Sequence, residues 1–217
     1  MSVIVRYLQS IIRPMQPSVA RSRGYKMSIR TERQLRTVAT NFKTREDGEE
    51  LRIEGYFAVF NSIYNIFDGA EEVIAPGAFA NTIGDDVRAL IDHETMYVLG
   101  RTTADTLELR EDDIGLWGTI LINPNDQDAM NVYARIARGD VSQCSIGFEI
   151  VREEAEFLDG VTRWTIEEVK LYEVSVCTFP AYSETSVKAR KDDLEEIKAR
   201  KMDAWRAEMI RKLKGGE

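Results

Sequence analysis

The chain has a single histidine and only two cysteines among its 217 residues. Cys144 and Cys177 are too few for a disulfide framework, and neither belongs to a Cys-x-x-Cys pair. With one histidine and no such pair, a zinc site is not expected. The longest apolar runs span only a few residues, far fewer than the roughly 20 that a membrane-spanning helix needs. We therefore expect no membrane segment, no metal and no cofactor.

Acidic side chains are nearly absent from the first part of the chain and abundant in the middle. Residues 1–45 hold ten basic and one acidic side chain, and residues 46–187 hold nine basic and twenty-nine acidic ones. The last thirty residues hold ten basic and seven acidic ones. The acidic middle would repel phosphate groups, which argues against a nucleic-acid substrate. The basic arm could contact nucleic acid or an acidic protein surface, but it is more simply a solvated segment.

Residues 1–26 carry five basic side chains and no acidic one. This composition matches an organelle-targeting peptide, although it lacks the continuous apolar core of a secretory signal. A removable propeptide and a true start at Met27 are the other interpretations. We divide the chain into a basic arm or propeptide over 1–46, a folded domain over 47–187 and a charged amphipathic helix or tail over 188–217.

From Leu51 onward, short apolar runs are broken by Gly, Asn and Asp, a texture typical of β-structure. The pattern predicts strands over residues 51–60, 88–91, 107–110, 116–122, 145–151 and 162–179. Between them, Asn125 is a good N-cap for a helix that Gly139 ends, and residues 78–83 predict a short helical piece. Many short strands with few helices indicate an α+β fold, most simply a closed or nearly closed barrel that is mostly antiparallel.

His93 follows the apolar run Ala89–Ile91, at the end of a predicted strand. An imidazole titrates near neutrality, so it can take a proton from a hydroxyl and return it to a leaving amine. Its spacing alone fits a surface histidine in an acidic loop at least as well. Asp92 is a poor partner for this ring, because strand neighbours point in opposite directions.

Ser145 and Glu173 lie in two other predicted strands. A serine hydroxyl needs a base to become a nucleophile, and Gly147 would let a substrate backbone approach closely. Alternation places Leu171, Glu173, Ser175 and Cys177 on one face of their strand. A carboxylate in an apolar strand needs a partner, and Glu173 could orient a histidine and stabilise its imidazolium form.

Four blocks of sequence resemble the tailed-phage prohead proteases, the capsid maturation proteases. Together they span roughly residues 50–187, in the family's order: Ile-Glu-Gly-Tyr-Phe-Ala-Val-Phe-Asn at 53–61, Val-Ile-Ala-Pro-Gly-Ala-Phe at 73–79, Leu-Ile-Asp-His-Glu at 90–94 with Leu-Gly-Arg at 99–101, and Cys-Ser-Ile-Gly-Phe at 144–148 with Leu-Tyr-Glu-Val-Ser-Val-Cys-Thr-Phe-Pro-Ala-Tyr at 171–182.

The resemblance implies that His93 is the general base and Ser145 the nucleophile of a serine endopeptidase. The family is held to share a barrel fold with the herpesvirus assemblins, whose third catalytic residue is a second histidine. This chain has no second histidine, so an acidic residue is required, and Glu173 is our choice. The oxyanion donors are not assigned; a backbone N–H near Ser145 and the side chain of Arg101 or Arg138 are the candidates.

The resemblance also implies a setting and partners. The substrates would be scaffold or coat-protein segments inside an assembling prohead in the host cytoplasm, followed by self-cleavage. Neither nucleic acid nor a membrane is required, and self-association into a homo-oligomer stays open. The C-terminal helix could recruit the enzyme to the shell or fold back on the domain.

Two other interpretations remain. Cys144 could be the nucleophile with His93, since thiolates are good nucleophiles, although alternation points it away from Ser145. Alternatively, the chain could be a non-catalytic β-barrel module that binds scaffold or capsid protein.

Overall fold

In the computed structural model, residues 25–26, 30–40, 42–48, 50–158, 160–179 and 184–214 are described. These ranges contain two α-helices, α1 (Gln127–Arg138) and α2 (Glu184–Lys214), a short 3-10 helix (Thr102–Ala104) and twelve strands. The strands are β1 (Tyr25–Lys26), β2 (Arg30–Ala39), β3 (Lys43–Asp47), β4 (Glu50–Val59), β5 (Tyr64–Phe67), β6 (Ala70–Ile74), β7 (Arg88–Ile91), β8 (Glu94–Arg101), β9 (Leu107–Glu111), β10 (Gly115–Ile122), β11 (Gln143–Leu158) and β12 (Val161–Cys177).

The larger sheet is built around the long hairpin of β11 and β12. β1 and β2 pair antiparallel with the outer edge of β11. On the other side, β12 pairs in parallel with β6 near its start and with β7 near its end. β5 and β8 then pair antiparallel with β6 and β7, so the sheet has eight strands. The end of β7 therefore lies beside the end of β12.

The smaller sheet has four antiparallel strands in the order β3-β4-β10-β9. Its central strands follow the alternation expected when one face is buried, since Ile53, Phe57, Leu116 and Ile120 are fully buried. The same hydrophobic cluster includes Ile146, Phe148 and Val174 of the larger sheet and Val132 of α1. Both sheets and α1 thus share one core.

Helix α2 is attached to the domain by a buried group of four charged side chains. Arg190 of α2 donates hydrogen bonds to Glu72 of β6, at 2.5 Å, and to Glu153 of β11, at 2.7 and 3.0 Å. Arg36 of β2 pairs with the other side of the Glu72 carboxylate. All four residues are at most 3% exposed. Two positive and two negative charges balance one another, which is the condition for burying them together.

The α+β class predicted from the sequence is confirmed. Closure into a barrel stays a prediction, because the strand pairs found in the described ranges leave both sheets open. No helix in the same ranges is long and apolar enough to cross a membrane.

Several local predictions need correction. The helix cap is Asp126 rather than Asn125, since its Oδ1 accepts hydrogen bonds from the backbone N–H groups of Asp128 and Ala129. Residues 78–83 form hydrogen-bonded turns instead of a helix, and β8 was not predicted. β2 and β3 lie in the predicted basic arm over 1–46 and pair with strands of the two sheets, and the domain boundaries stay a prediction. Residues 1–24, Met27 and Pro180–Ala181 lie outside the described ranges.

Candidate active site

His93 is one of the two loop residues of the hairpin between β7 and β8. Ile91 pairs with Glu94, so Asp92 and His93 alone make the turn, with φ angles of 47° and 65°. Two consecutive residues with positive φ are the signature of a type I′ turn, which matches the twist of a hairpin. Histidine and aspartate tolerate this conformation better than bulkier residues, but at a cost. The turn presents the imidazole next to the end of β12, and 17% of its side chain is exposed.

Glu173 of β12 connects this imidazole to two other side chains. Its Oε1 lies 2.7 Å from Nδ1 of His93 and 2.8 Å from Nη2 of Arg33, and its Oε2 accepts a 2.6 Å hydrogen bond from the Ser175 hydroxyl. The carboxylate is 1% exposed. Because a carboxylate accepts hydrogen bonds, the contact with His93 places the ring proton on Nδ1. Nε2 is then the nitrogen that can accept a proton.

Ser145 lies in β11, directly opposite Ser175 of β12. Opposite residues of an antiparallel pair point to the same face, so Ser145 shares the face of Ser175 and Glu173. Its side chain is fully buried, and its hydroxyl oxygen has no hydrogen-bond partner among the residues that the structure describes. The structure thus joins His93 directly to Glu173 of β12. It places Ser145 on β11, the strand next to β12, on the same face as Glu173.

Cys177 is the neighbour of the other ring nitrogen, since its Sγ lies 3.8 Å from Nε2 of His93. Burial, followed by the negative charges of Asp92 and Glu173, raises the pKa of this thiol to about 12. A thiol is nucleophilic only as the thiolate, so Cys177 is almost entirely unreactive near neutral pH. This contact was not predicted, although alternation did place Cys177 on the face of Glu173.

Gly147 makes room for the contact between Glu173 and Arg33. A Cβ at this position would lie 2.3 Å from Oε1 of Glu173 and 2.7 Å from two guanidinium nitrogens of Arg33. The space that we expected a substrate backbone to use is therefore filled by side chains of the site itself. Nothing in the sequence pointed to Arg33, because β2 and β12 are far apart along the chain.

One residue of β12 breaks the strict alternation that we predicted. Gly147 pairs with Glu173, and the next residue, Phe148, pairs with Leu171, so Tyr172 is the extra residue of a bulge. Leu171 is consequently buried in the hydrophobic core with Phe148 instead of lying on the face of Glu173. Bulges of this kind redirect side chains beside active sites.

The other candidates from the sequence lie away from this cluster. Cys144 points into the core, where its Sγ contacts the carbonyl oxygens of Val38, Tyr56 and Phe57, and burial raises the pKa of its thiol strongly. The Cys144–His93 pair is therefore wrong. Arg101 is paired with Asp86, and Arg138 is paired with Asp140.

A cleft of about 410 Å³ opens beside Glu173. Its walls come from β2, β7, β8, β11 and β12: Arg33, Arg88, Leu90, Thr95, Glu149, Tyr172 and Glu173. Within the described ranges, no three His, Cys, Asp or Glu side chains are grouped so that they could hold a metal ion. Glu173 connects this cleft to the His93 imidazole and the Ser175 hydroxyl, because its carboxylate lines the cleft and contacts both groups.

An imidazole oriented by a carboxylate, next to a strand that carries a serine, is typical of serine hydrolases. A family model described as caudovirus prohead serine protease matches residues 39–200. The prohead protease of Enterobacteria phage HK97 is 30% identical over 173 residues, which cover 76% of this chain and 72% of that protein. The chain belongs to the caudovirus prohead serine protease family, and it is a serine protease of capsid maturation.

Among solved structures, the bacteriophage T4 capsid assembly protease, gp21, is also similar to this chain. The match covers 69% of this chain and 98% of that one, with 12% sequence identity and a TM-score of 0.47.

Proposed function

We propose that Ser145 is the nucleophile of this protease, that His93 is its general base, and that Glu173 orients the imidazole. The observation that carries the proposal is the 2.7 Å contact between Nδ1 of His93 and Oε1 of Glu173. The chain has one histidine, so every imidazole-dependent step must use this ring. Glu173 takes the place that the assemblins give to a second histidine.

The reaction follows the acyl-enzyme route. Nε2 of His93 takes the proton of the Ser145 hydroxyl while its oxygen bonds to the scissile carbonyl carbon. When the C–N bond breaks, the imidazolium returns the proton to the leaving amine, and an ester remains on Ser145. Water, deprotonated by the same nitrogen, then bonds to the ester carbon; the C–O bond to Ser145 breaks, and the imidazolium returns the proton to the Ser145 oxygen. Glu173 stabilises the imidazolium in both halves of the reaction.

Attack on a peptide requires a local rearrangement, because the Ser145 side chain is fully buried. Nε2 must exchange its contact with the Cys177 thiol for one with the Ser145 hydroxyl. Catalytic hydrogen bonds are often long in enzymes without substrate and shorten when the substrate binds. The cleft beside Glu173 is the route by which an extended peptide would enter.

The substrates follow from the family. We infer that the enzyme cleaves scaffold or coat-protein segments, and afterwards itself, inside the assembling prohead in the host cytoplasm. On this proposal the terminal segments of the chain are the candidate sites of self-cleavage, because terminal segments in general fit a protease cleft more readily than packed strands.

The test is mass spectrometry of the products formed when the chain is co-expressed with its coat protein. Ser145→Ala should lower cleavage by several orders of magnitude while the protein stays folded. The matched control is Ser175→Ala, which removes a neighbouring hydroxyl on the same face and should retain measurable cleavage. Normal processing by Ser145→Ala, or abolished processing only in Ser175→Ala, would overturn the assignment of the nucleophile.

The finer description of the architecture is also a proposal. We propose that the two sheets form one barrel around their common core, because residues of both sheets belong to one hydrophobic cluster. We further propose that residues 47–187 together with β2 and β3 form the protease domain, and that the exposed end of α2 recruits it to scaffold or coat protein.

A further inference from the structure

Asp92 joins the turn that carries His93 to the end of β12. Its Oδ1 accepts a 2.7 Å hydrogen bond from the backbone N–H of Thr178, and its Oδ2 accepts a 3.0 Å hydrogen bond from the Thr178 hydroxyl. Its own backbone N–H donates to the carbonyl oxygen of Val176 at 2.9 Å. Three hydrogen bonds therefore connect one turn residue to the three-residue stretch that follows Ser175.

This connection matters because the turn is otherwise weakly held. Asp92 and His93 both have positive φ, which is an unfavourable region for residues other than glycine. β8 is exposed over residues 94–98, so its side chains supply little packing to hold the hairpin in place. A hydrogen-bonded anchor at the turn itself restricts the direction in which the next residue, His93, can point.

We propose that Asp92 is a positioning residue for the protease reaction: its carboxylate ties the type I′ turn to Thr178 and so holds the His93 imidazole between Glu173 and Cys177. The proposal rests on the catalytic role assigned to His93 above. Asp92 itself contacts neither the imidazole nor the serine in this arrangement. The effect assigned to it passes through the backbone of the turn, and it is separate from the effect of its charge, which helps to raise the pKa of the Cys177 thiol.

The anchor makes a specific demand on the side chain at position 92. The residue must tolerate positive φ, and it must offer an acceptor to the Thr178 N–H group. Aspartate and asparagine meet both demands, whereas glycine meets only the first. Asp92→Gly therefore removes both side-chain hydrogen bonds to Thr178 without adding backbone strain, and Asp92→Asn restores the acceptor without restoring the charge.

The matched control is Asp105→Gly. Asp105 is also an exposed aspartate with positive φ, at 56°, and it caps the short 3-10 helix Thr102–Ala104. Asp105→Gly thus replaces aspartate by glycine at a position with positive φ, as Asp92→Gly does, but in a turn that carries no catalytic group. Thr178→Val is a second probe, because it removes only the hydroxyl contact and leaves the backbone of the turn unchanged.

Two measurements on the full-length chain report on the imidazole. The first is the rate at which a fluorophosphonate labels Ser145, which depends on the base but not on recognition of a peptide. The second is the ¹H–¹⁵N spectrum of the imidazole, in which the single histidine of the chain gives one set of signals. A Nδ1 proton held by Glu173 should resonate far downfield.

We expect Asp92→Gly to lower the labelling rate by roughly 10- to 100-fold, the effect of a displacement of about 1 Å in a catalytic group. It should also broaden or remove the downfield Nδ1 proton signal. Asp92→Asn should recover most of the lost labelling rate, and the rate of Thr178→Val should lie between those of Asp92→Gly and Asp92→Asn. Asp105→Gly should be labelled at the wild-type rate. A melting temperature measured for each variant separates loss of position from loss of fold.

Two outcomes would overturn the proposal. If Asp92→Gly labels at the wild-type rate with an unchanged imidazole spectrum, the anchor does not position His93. If Asp92→Asn is as impaired as Asp92→Gly, the charge of Asp92 matters and the hydrogen-bond argument is wrong. A His93→Ala variant distinguishes these results from failure of the proposed function, because wild-type labelling of that variant would remove the catalytic role of His93 itself.

Discussion

The two nitrogens of His93 have chemically different neighbours. Nδ1 faces the Glu173 carboxylate, and Nε2 faces the Cys177 thiol, whose pKa of about 12 keeps it neutral. The first contact sets the tautomer that a general base needs, and the second keeps a nucleophilic competitor protonated. In the proposed mechanism, a carboxylate in this position also offsets the positive charge that the imidazole would acquire, which a second neutral histidine would do less strongly.

Gly147 provides a test at the scale of single residues. In Gly147→Ala, the new Cβ would displace the Glu173 carboxylate from Nδ1 of His93, because it would lie 2.3 Å from Oε1. We expect the rate constant for acylation of Ser145 to fall by about 100-fold. Overpacking of this kind should also lower the free energy of unfolding by about 1–3 kcal/mol.

The control is Gly84→Ala, since a Cβ at Gly84 would meet no atom within 4 Å. It should leave acylation unchanged. Stopped-flow labelling together with urea denaturation checks both effects. Equal acylation rates in the two variants would show that Glu173 can move aside without loss of function.

At the scale of elements, the buried group of Arg36, Glu72, Glu153 and Arg190 links β2, β6, β11 and α2. Arg190 also lies over the ring of Trp164, with 4.9 Å between the guanidinium carbon and the ring centroid. Burial by itself would raise the pKa of Glu72, but the positive charges and hydrogen bonds of Arg36 and Arg190 outweigh it and lower that pKa from 4.5 to about 2. The terminal helix is therefore held by charges that depend on pH.

The lowered pKa predicts how stability changes in acid. The unfolded chain binds a proton at Glu72 more readily than the folded one does, so this group stabilises the fold above about pH 4.5. The contribution, on the order of 3 kcal/mol, should be lost as the pH falls through about 2. The free energy of unfolding, measured with urea between pH 7 and 2, should fall in this window.

Glu72→Gln isolates the effect of this one group from that of other carboxylates. The variant should be less stable than the wild-type protein at pH 7, because Arg36 and Arg190 lose their shared anion. The difference in the free energy of unfolding between the two proteins should decrease steadily as the pH falls below 4.5. A difference that stays constant down to pH 2 would contradict the assigned pKa.

At the scale of the whole molecule, α2 has an attached part and an exposed part. Arg190 and Ile197 are buried against the domain, whereas Met202, Trp205, Met209 and Ile210 are 41–56% exposed. A chain that ends at residue 200 should therefore keep its urea midpoint nearly unchanged. A chain that ends at residue 187 loses Arg190 and with it the buried hydrogen bonds to Glu72 and Glu153, and it should be destabilised by about 3–5 kcal/mol.

These two truncations also separate stability from recruitment. If the exposed end of α2 recruits the protease, the chain that ends at residue 200 should fold, label at Ser145 and yet fail to enter proheads. Urea denaturation measures the stability of each truncated chain, and analysis of purified proheads shows whether that chain has been incorporated. Equal stability of both truncated chains would show that α2 does not depend on the buried charges.

The sequence by itself determined the strand-rich class, the family and the three candidate residues. Local patterns suffice for these, because alternation, turn residues and the ordered blocks around His93, Ser145 and Glu173 are each readable over a few positions. The same patterns placed Ser175 and Cys177 on the face of Glu173. They failed at Leu171, where a single extra residue reversed the face, since alternation carries no information about a bulge.

Only the tertiary structure decided how these pieces meet. The contact of Arg33 with Glu173 joins residues 140 positions apart, and the anchor of Asp92 to Thr178 joins residues 86 positions apart. Both depend on which strands lie side by side: β2 along β11, and β7 in parallel along β12. Strand order is set by packing around a common core, a property of the whole chain that no short stretch of residues encodes.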